Sequence, residues 1–196
     1  MRYVDFHTHG EVPEGVVAII SGTVRPARGF FSRQCLPSEF TGEVPDLAGA
    51  DALGEIGLDR RLAVPMDRQR AILRILLAAA GDLPVVIHCV RAYPELNAEL
   101  KNFVGRVLLH RFNGSLREMD NQLASGRYLS FGFGDLRLAA RVWRLRPELL
   151  ALESDGKPTD YAECYRCAAE EFGTDQESLA ACLENNMKVF MNVENL

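Results

Sequence analysis

Residues 51–89, DALGEIGLDRRLAVPMDRQRAILRILLAAAGDLPVVIHC, hold one complete strand–helix–strand unit. A short apolar run bounded by turn residues reads as a buried strand over 51–56. Pro65 and Asp67 then supply helix-start signals, and the amphipathic stretch behind them predicts a helix over 66–80. LPVVIH opens a second strand over 84–89. Two buried strands joined by a helix make a parallel βα unit, and this unit sets the frame for the rest of the chain.

Working outward, runs rich in Val, Ile, Phe and Leu at 3–7, 16–21, 29–33, 106–110, 127–133 and 149–153 bring the expected strands to eight. Helical patterns follow at 93–103, 115–125 and 135–146, and three more at 158–172, 175–184 and 185–191 finish the chain. Alternation of this kind predicts an α/β fold, a TIM-type (β/α)8 barrel. The 196 residues leave about 24 for each of eight units, against roughly 31 in a barrel of ~250 residues. The shortage lies in the first half, where the connections GEVPEG (10–15) and SGTVRPAR (21–28) are too short and too rich in Pro and Gly for full helices. The expectation is a compact barrel with shortened N-terminal βα units, in one domain over 1–196; a seven-stranded or open sheet is the alternative.

With 47% apolar and 25% charged residues, the chain has the balance of a soluble globular protein. A net charge of −5 argues against holding nucleic acid by charge alone, but not against meeting a polyanion locally through metal ions and a few arginines. GVVAII and ILLAAA are too short to span a bilayer. The opening RYVDFHTHG has no charged-then-apolar leader, and the five cysteines have no disulfide-like spacing, so a reducing cytoplasm is expected. Cys164 and Cys167 form a CxxC within a helical stretch and read as buried small residues rather than a zinc or redox pair. Arg137, Arg141 and Arg144 share one helical face, whose ordinary reading is a solvated outer surface.

The chemistry-bearing residues gather where barrel enzymes build their sites, at strand C-terminal ends. In DFHTHG, His7 and His9 stand two apart on a strand and so point to one side. His88 follows LPVVI and His110 follows GRVLL, each the first polar residue after an apolar run. One histidine in such a place is ordinarily a hydrogen-bonded structural residue. All four of the chain's histidines at strand ends point instead to a metal site, of a kind that suits Zn, Mn or a similar ion better than Ca. Glu55, between Gly54 and Gly57 at the end of the fourth strand, and Asp155, before Gly156 at the end of the eighth, are expected to aim into the site. Asp59 and Glu153 read as surface acids.

The ordered motifs DFHTHG, GEIGLD, VIHCVRAY, LLHRFNGS, LESDGKP and NNMKVF resemble the TatD family of metal-dependent deoxyribonucleases, in particular its short bacterial members. They span residues 5–190, nearly the whole chain. The resemblance implies one or two divalent metal ions (Zn, Mn or Mg). His7, His9 and Asp155 would hold one, His88 and His110 the other, and Glu55 would bridge them. Asp155 and Glu55 would be the catalytic carboxylates of a phosphodiesterase acting on DNA, with Asp155 as general base toward a metal-activated water. Arg91 and Arg111, beside the later histidines, are the candidate phosphate contacts. Two positions depart from the family pattern. Leu36 stands where a Gly-x-His-Pro histidine is usual, and Val90, followed by Arg91, stands where many members have arginine.

The rival enzyme is an amidohydrolase cleaving a C–N bond, whose binuclear members commonly bridge their metals with a carboxylated lysine on the fourth strand. None of Lys101, Lys157 and Lys188 lies near that strand end, whereas Glu55 does. A second rival is a non-catalytic barrel that binds partners through an exposed groove. A barrel side stripped of helices would expose apolar surface and favour a homo-oligomer.

Overall fold

The computed structural model describes residues 1–134 and 136–196. Eight strands form a single sheet: β1 (Tyr3–Thr8), β2 (Val16–Gly22), β3 (Phe30–Arg33), β4 (Ala52–Asp59), β5 (Val85–Val90), β6 (Val107–Leu109), β7 (Tyr128–Gly132) and β8 (Leu150–Glu153). Each pairs in parallel with the next in chain order, which makes a nearly closed barrel. Among the described residues no helix lies between β1 and β4, and the expected paring-away of early units is seen. Loops cover that side instead; Phe40 and Leu47 of the 34–51 connection pack partly buried against the core.

The later strands carry α1 (Met66–Ala79), α2 (Tyr93–Glu99), α3 (Leu116–Ala124), α4 (Arg137–Leu145), α5 (Tyr161–Phe172) and α6 (Gln176–Met191). Ile72, Leu73, Leu76 and Leu77 form the buried stripe of α1. Ser115, Asp160 and Asp175 cap α3, α5 and α6, each side chain accepting a backbone N–H three residues on. The start expected for α4 at residue 135 lies outside the described residues. No helix among the described residues is long and apolar enough to cross a membrane.

Three expectations need correcting. The segments 175–184 and 185–191 are one continuous helix, α6. Asn186, a helix-disfavouring residue, turns its amide away from its own backbone and donates to the carbonyls of Pro147 (2.7 Å) and Leu150 (2.9 Å). In doing so it ties α6 to the start of β8. Cys164 and Cys167 are half-buried rather than buried, because Tyr161, Tyr165, Ala168, Ala169 and Phe172 take the inner face of α5. Glu55 lies within β4 rather than at its end. It is the extra residue of a bulge, since Gly54 pairs with Val86 and Ile56 with Ile87, leaving Glu55 unopposed. The flanking glycines are required by the close approach of β5. A Cβ on Gly54 would stand 2.4 Å from the Val86 carbonyl oxygen, and one on Gly57 1.9 Å from that of His88.

The seam between β1 and β8 is closed without a ladder. The Tyr165 hydroxyl donates to the Val4 carbonyl (2.7 Å) and accepts from the Val4 amide (3.0 Å), doing for β1 what a neighbouring strand would do. The buried Asp5 carboxylate accepts from the amides of Ser154 (3.1 Å) and His7 (3.1 Å) and from the Tyr161 hydroxyl (2.6 Å). Burial outweighs those bonds and raises the Asp5 pKa to about 6. One backbone bond, from the Asp155 amide to the His7 carbonyl (3.1 Å), crosses the seam at its mouth.

Candidate metal centre

The four histidines, Glu55 and Asp155 converge at the C-terminal mouth of the barrel. His7 Nε2 and His9 Nε2 are 3.3 Å apart. Glu55 Oε2 lies 3.8 Å from the first and 3.6 Å from the second, and Asp155 Oδ1 lies 3.9 and 4.0 Å from them. On the other side, His88 Nδ1 and His110 Nε2 are 3.4 Å apart. Glu55 Oε1 lies 2.7 Å from His88 Nδ1 and 3.0 Å from His110 Nε2. The two oxygens of one carboxylate thus face two pairs of imidazoles.

This set fits divalent cations. Donors about 2.0–2.2 Å from a common ion lie roughly 3–4 Å from one another, the spacing found in the His7–His9 group, while the His88–His110 group is drawn somewhat closer, at 2.7–3.4 Å. The ring nitrogens turned away from the centre all have acceptors: Ser21 Oγ for His7 (3.2 Å), the Ser21 carbonyl for His9 (3.1 Å), Asp59 Oδ2 for His88 (3.0 Å) and Glu153 Oε1 for His110 (3.0 Å). An imidazole that donates outward turns a lone pair inward, so each inner pair sets two acceptors against one another unless a cation or a proton intervenes. His7, His9 and Asp155 can share one ion, and His7, Glu55 and His110 also lie within ligand reach of one another.

Burial disfavours ionised Glu55, yet hydrogen bonds from His110 and His88 hold its carboxyl far below the usual range. Burial likewise opposes a charged His110, but Glu153 and Glu55 prevail and push its pKa up to about 10. For the fully buried His7, desolvation and then the charge of His110 drive the pKa well below its ordinary value.

Asp59 and Glu153 are corrections to the surface reading. Both are buried, each behind a histidine. Period-two spacing was the available signal for Asp59, which shares a strand face with Glu55 and Gly57, and Glu153 closes the apolar run of β8. Glu153 Oε2 also accepts from the Arg111 amide (3.2 Å) and the Ser130 hydroxyl. It thereby supports the left-handed backbone of Arg111 (φ 47°).

A cavity of about 380 Å³ opens over the His88–His110 side, with Glu55, Arg61, Arg111, Asn113 and Asp155 in its wall. Arg111 pairs through Nη1 with Asp155 Oδ2, while Asp155 Oδ1 faces the first histidine pair. Arg91, also left-handed (φ 54°), is exposed and stands outside the lining; its carbonyl accepts from Arg60 Nε (2.8 Å). Arg61, which sequence reasoning missed, is in the wall and forks onto Asp59. Arg137 and Arg144 are exposed, and Arg141 reaches Asp120 at 3.5 Å.

A family model described as TatD related DNase matches residues 46–192. A curated relative from Dickeya dadantii, named 3'-5' ssDNA/RNA exonuclease TatD, is 31% identical over 57% of this chain and 48% of its own length. The chain spans half or less of the length of the curated relatives it matches. Among solved structures, YJJV, a TATD homolog from Escherichia coli, superposes with a TM-score of 0.81 at 22% identity, covering 98% of each chain. An uncharacterized amidohydrolase from Saccharomyces cerevisiae reaches a TM-score of 0.60 at 13% identity, over 98% of this chain and 95% of its own. At these identities the two structures bear on the fold alone.

Proposed function

Since the chain belongs to the TatD-related DNase family, we propose that it is a divalent-metal-dependent phosphodiesterase that cleaves DNA or a similar nucleic acid, with residues 1–196 as one catalytic barrel. The observation that carries this reading is Glu55, whose two oxygens divide between the His7–His9 and His88–His110 pairs. His7, His9 and Asp155 would hold one ion, His88 and His110 a second, and Glu55 both. A divalent ion held there would lower the pKa of its water from 15.7 to about 7 and neutralise charge on a phosphoryl oxygen. Imidazole-rich sets suit Zn or Mn, with Mg the third candidate.

The chain's own groups do the remaining work. Asp155 splits its carboxylate, Oδ1 toward His7 and His9 and Oδ2 toward Arg111. Asp155 would both help hold the ion and take a proton from the attacking water, with Arg111 fixing its orientation through Oδ2. Arg111 keeps that carboxylate turned the right way and presents its remaining N–H groups to an incoming phosphate. Arg91, exposed outside the cavity, would contact only a strand that extends beyond it. Five unpaired cysteines suit the cytoplasm. The helix-poor side, where Val24 is exposed, is the face on which a homo-oligomer would form.

The test is an assay of the protein with Mn, Zn or Mg on 5′-labelled single-stranded DNA beside a panel of cyclic amides. Cleavage of DNA is expected, and turnover of amides alone would replace this reading with the amidohydrolase one.

A further inference from the structure

Arg61 lies apart from the groups that face the Glu55–Asp155 centre. Its Nε reaches Asp59 Oδ1 (3.0 Å), its Nη2 reaches Asp59 Oδ2 (2.7 Å), and its own amide also binds Oδ1 (2.8 Å). Asp59 is buried and holds His88 with the same Oδ2 (3.0 Å). The Arg61 side chain is nevertheless 61% exposed, and it lines the cavity. Among the described residues its Nη1 meets no acceptor. A guanidinium fixed along one edge and free along the other is organised to take an anion and loses little rotamer freedom in doing so.

The position of that anion follows from the order of groups. Glu55 Oε1 meets His88 Nδ1, His88 Nε2 meets Asp59, and Asp59 meets Arg61. Arg61 is thus tied behind His88 and Asp59 rather than to Glu55 itself. A phosphate reacting at Glu55 and Asp155 would meet Arg111, which pairs with Asp155, while Arg61 stays tied to Asp59 in the wall of the same cavity. A cavity of about 380 Å³ holds more than one phosphate.

We propose that Arg61 binds a second phosphate of the substrate, one nucleotide removed from the bond that is cut. The protein then discriminates in favour of nucleic-acid ends and interiors that carry neighbouring phosphates, and against isolated diesters. This rests on the phosphodiesterase reading above.

The test compares the Mn-loaded protein with its R61A and R61K variants on the thymidine dinucleotide, without an end phosphate and with an added 5′- or 3′-phosphate. Calorimetry with the same ion measures binding of thymidine 3′,5′-bisphosphate against thymidine 5′-monophosphate. The unaltered protein should favour one end-phosphorylated form by about tenfold in kcat/KM, and the bisphosphate by a similar factor in Kd. In R61A both preferences should fall below about threefold, and R61K should keep part of each. A parallel loss on all three dinucleotides, with the ratio intact, would mean that Arg61 only props Asp59, and overturns the proposal. So would an unaltered protein with no preference. If no dinucleotide is cut but the bisphosphate still binds more tightly through Arg61, the second-phosphate site stands and the phosphodiesterase reading falls. Neither cleavage nor a binding difference removes both.

Discussion

The two halves of the proposed metal centre share Glu55 but are built differently. The His88–His110 half stands on β5 and β6, strands joined by a regular ladder that continues to the His110 amide, 3.0 Å from the Ile87 carbonyl. Its outer ring nitrogens face the buried carboxylates Asp59 and Glu153. The His7–His9–Asp155 half spans the β1–β8 seam, which side chains close, and its outer nitrogens face only the neutral oxygens of Ser21. His9 is also 40% exposed. A carboxylate partner makes an imidazole a stronger donor, and a ladder holds its position. The difference teaches that, in the proposed centre, the His88–His110 half would hold its ion the more tightly, while the half with the exposed His9 would be the more open to ion exchange and water.

The largest effect should come from the residue that both halves use. Glu55→Gln removes the shared charge, so both ions should be lost and activity should fall by roughly 10³-fold or more; metal content by mass spectrometry and nuclease rate are the measurements. Retention of both ions would break the idea of a common bridge. Asp155→Asn acts on the accessible half. Loss of a general base costs about 10²–10⁴-fold in rate, and at least one ion should remain, held by His88 and His110. Unchanged activity in this variant would remove Asp155 from the chemistry.

The strands and the inner residues of the site were legible in the sequence, while the partners that make the two halves differ were hidden for physical reasons. The strands showed themselves because a buried parallel strand must be apolar along its whole length, and the candidate ligands because each histidine interrupts or ends such a run. Asp59 and Glu153 were misread because strand position alone was a weak signal, and the histidine partners that bury them are 29 and 43 residues away. The β4 bulge was marked by its two glycines, but its length was not, so Glu55 was placed at a strand end. Nothing in the one-dimensional pattern announces that a tyrosine of α5 closes the barrel, since Tyr165 reads equally well as ordinary core.

The outer partners provide the next test. Replacing a carboxylate behind a metal-binding histidine typically costs 10–100-fold in affinity. Glu153→Gln should therefore weaken the His88–His110 ion by about that factor. Ser21→Ala, which removes a neutral partner from His7 alone, should weaken the other ion by less. The two affinities can be separated by titrating Mn into the metal-free protein. Equal losses would show that charge behind the histidines is not what distinguishes the halves.

The seam yields the smallest and most local effect. Tyr165→Phe keeps the ring in the core and deletes one hydroxyl, yet that oxygen serves two backbone groups of Val4. Each buried backbone group left without a partner costs about 1–3 kcal/mol, which for a domain of this size is a fall in Tm of roughly 2–12 °C per group. No metal ligand is touched. Val4 nevertheless precedes His7 on the same six-residue strand, so loosening β1 should weaken the His7–His9–Asp155 ion while the His88–His110 ion is unaffected. Hydrogen exchange supplies the same contrast at the backbone, with faster exchange expected along β1 and unchanged protection along β5 and β6. If Tyr165→Phe lowered both metal affinities equally, the barrel would be responding as one rigid body, and the distinction between a fixed and an accessible half would fail.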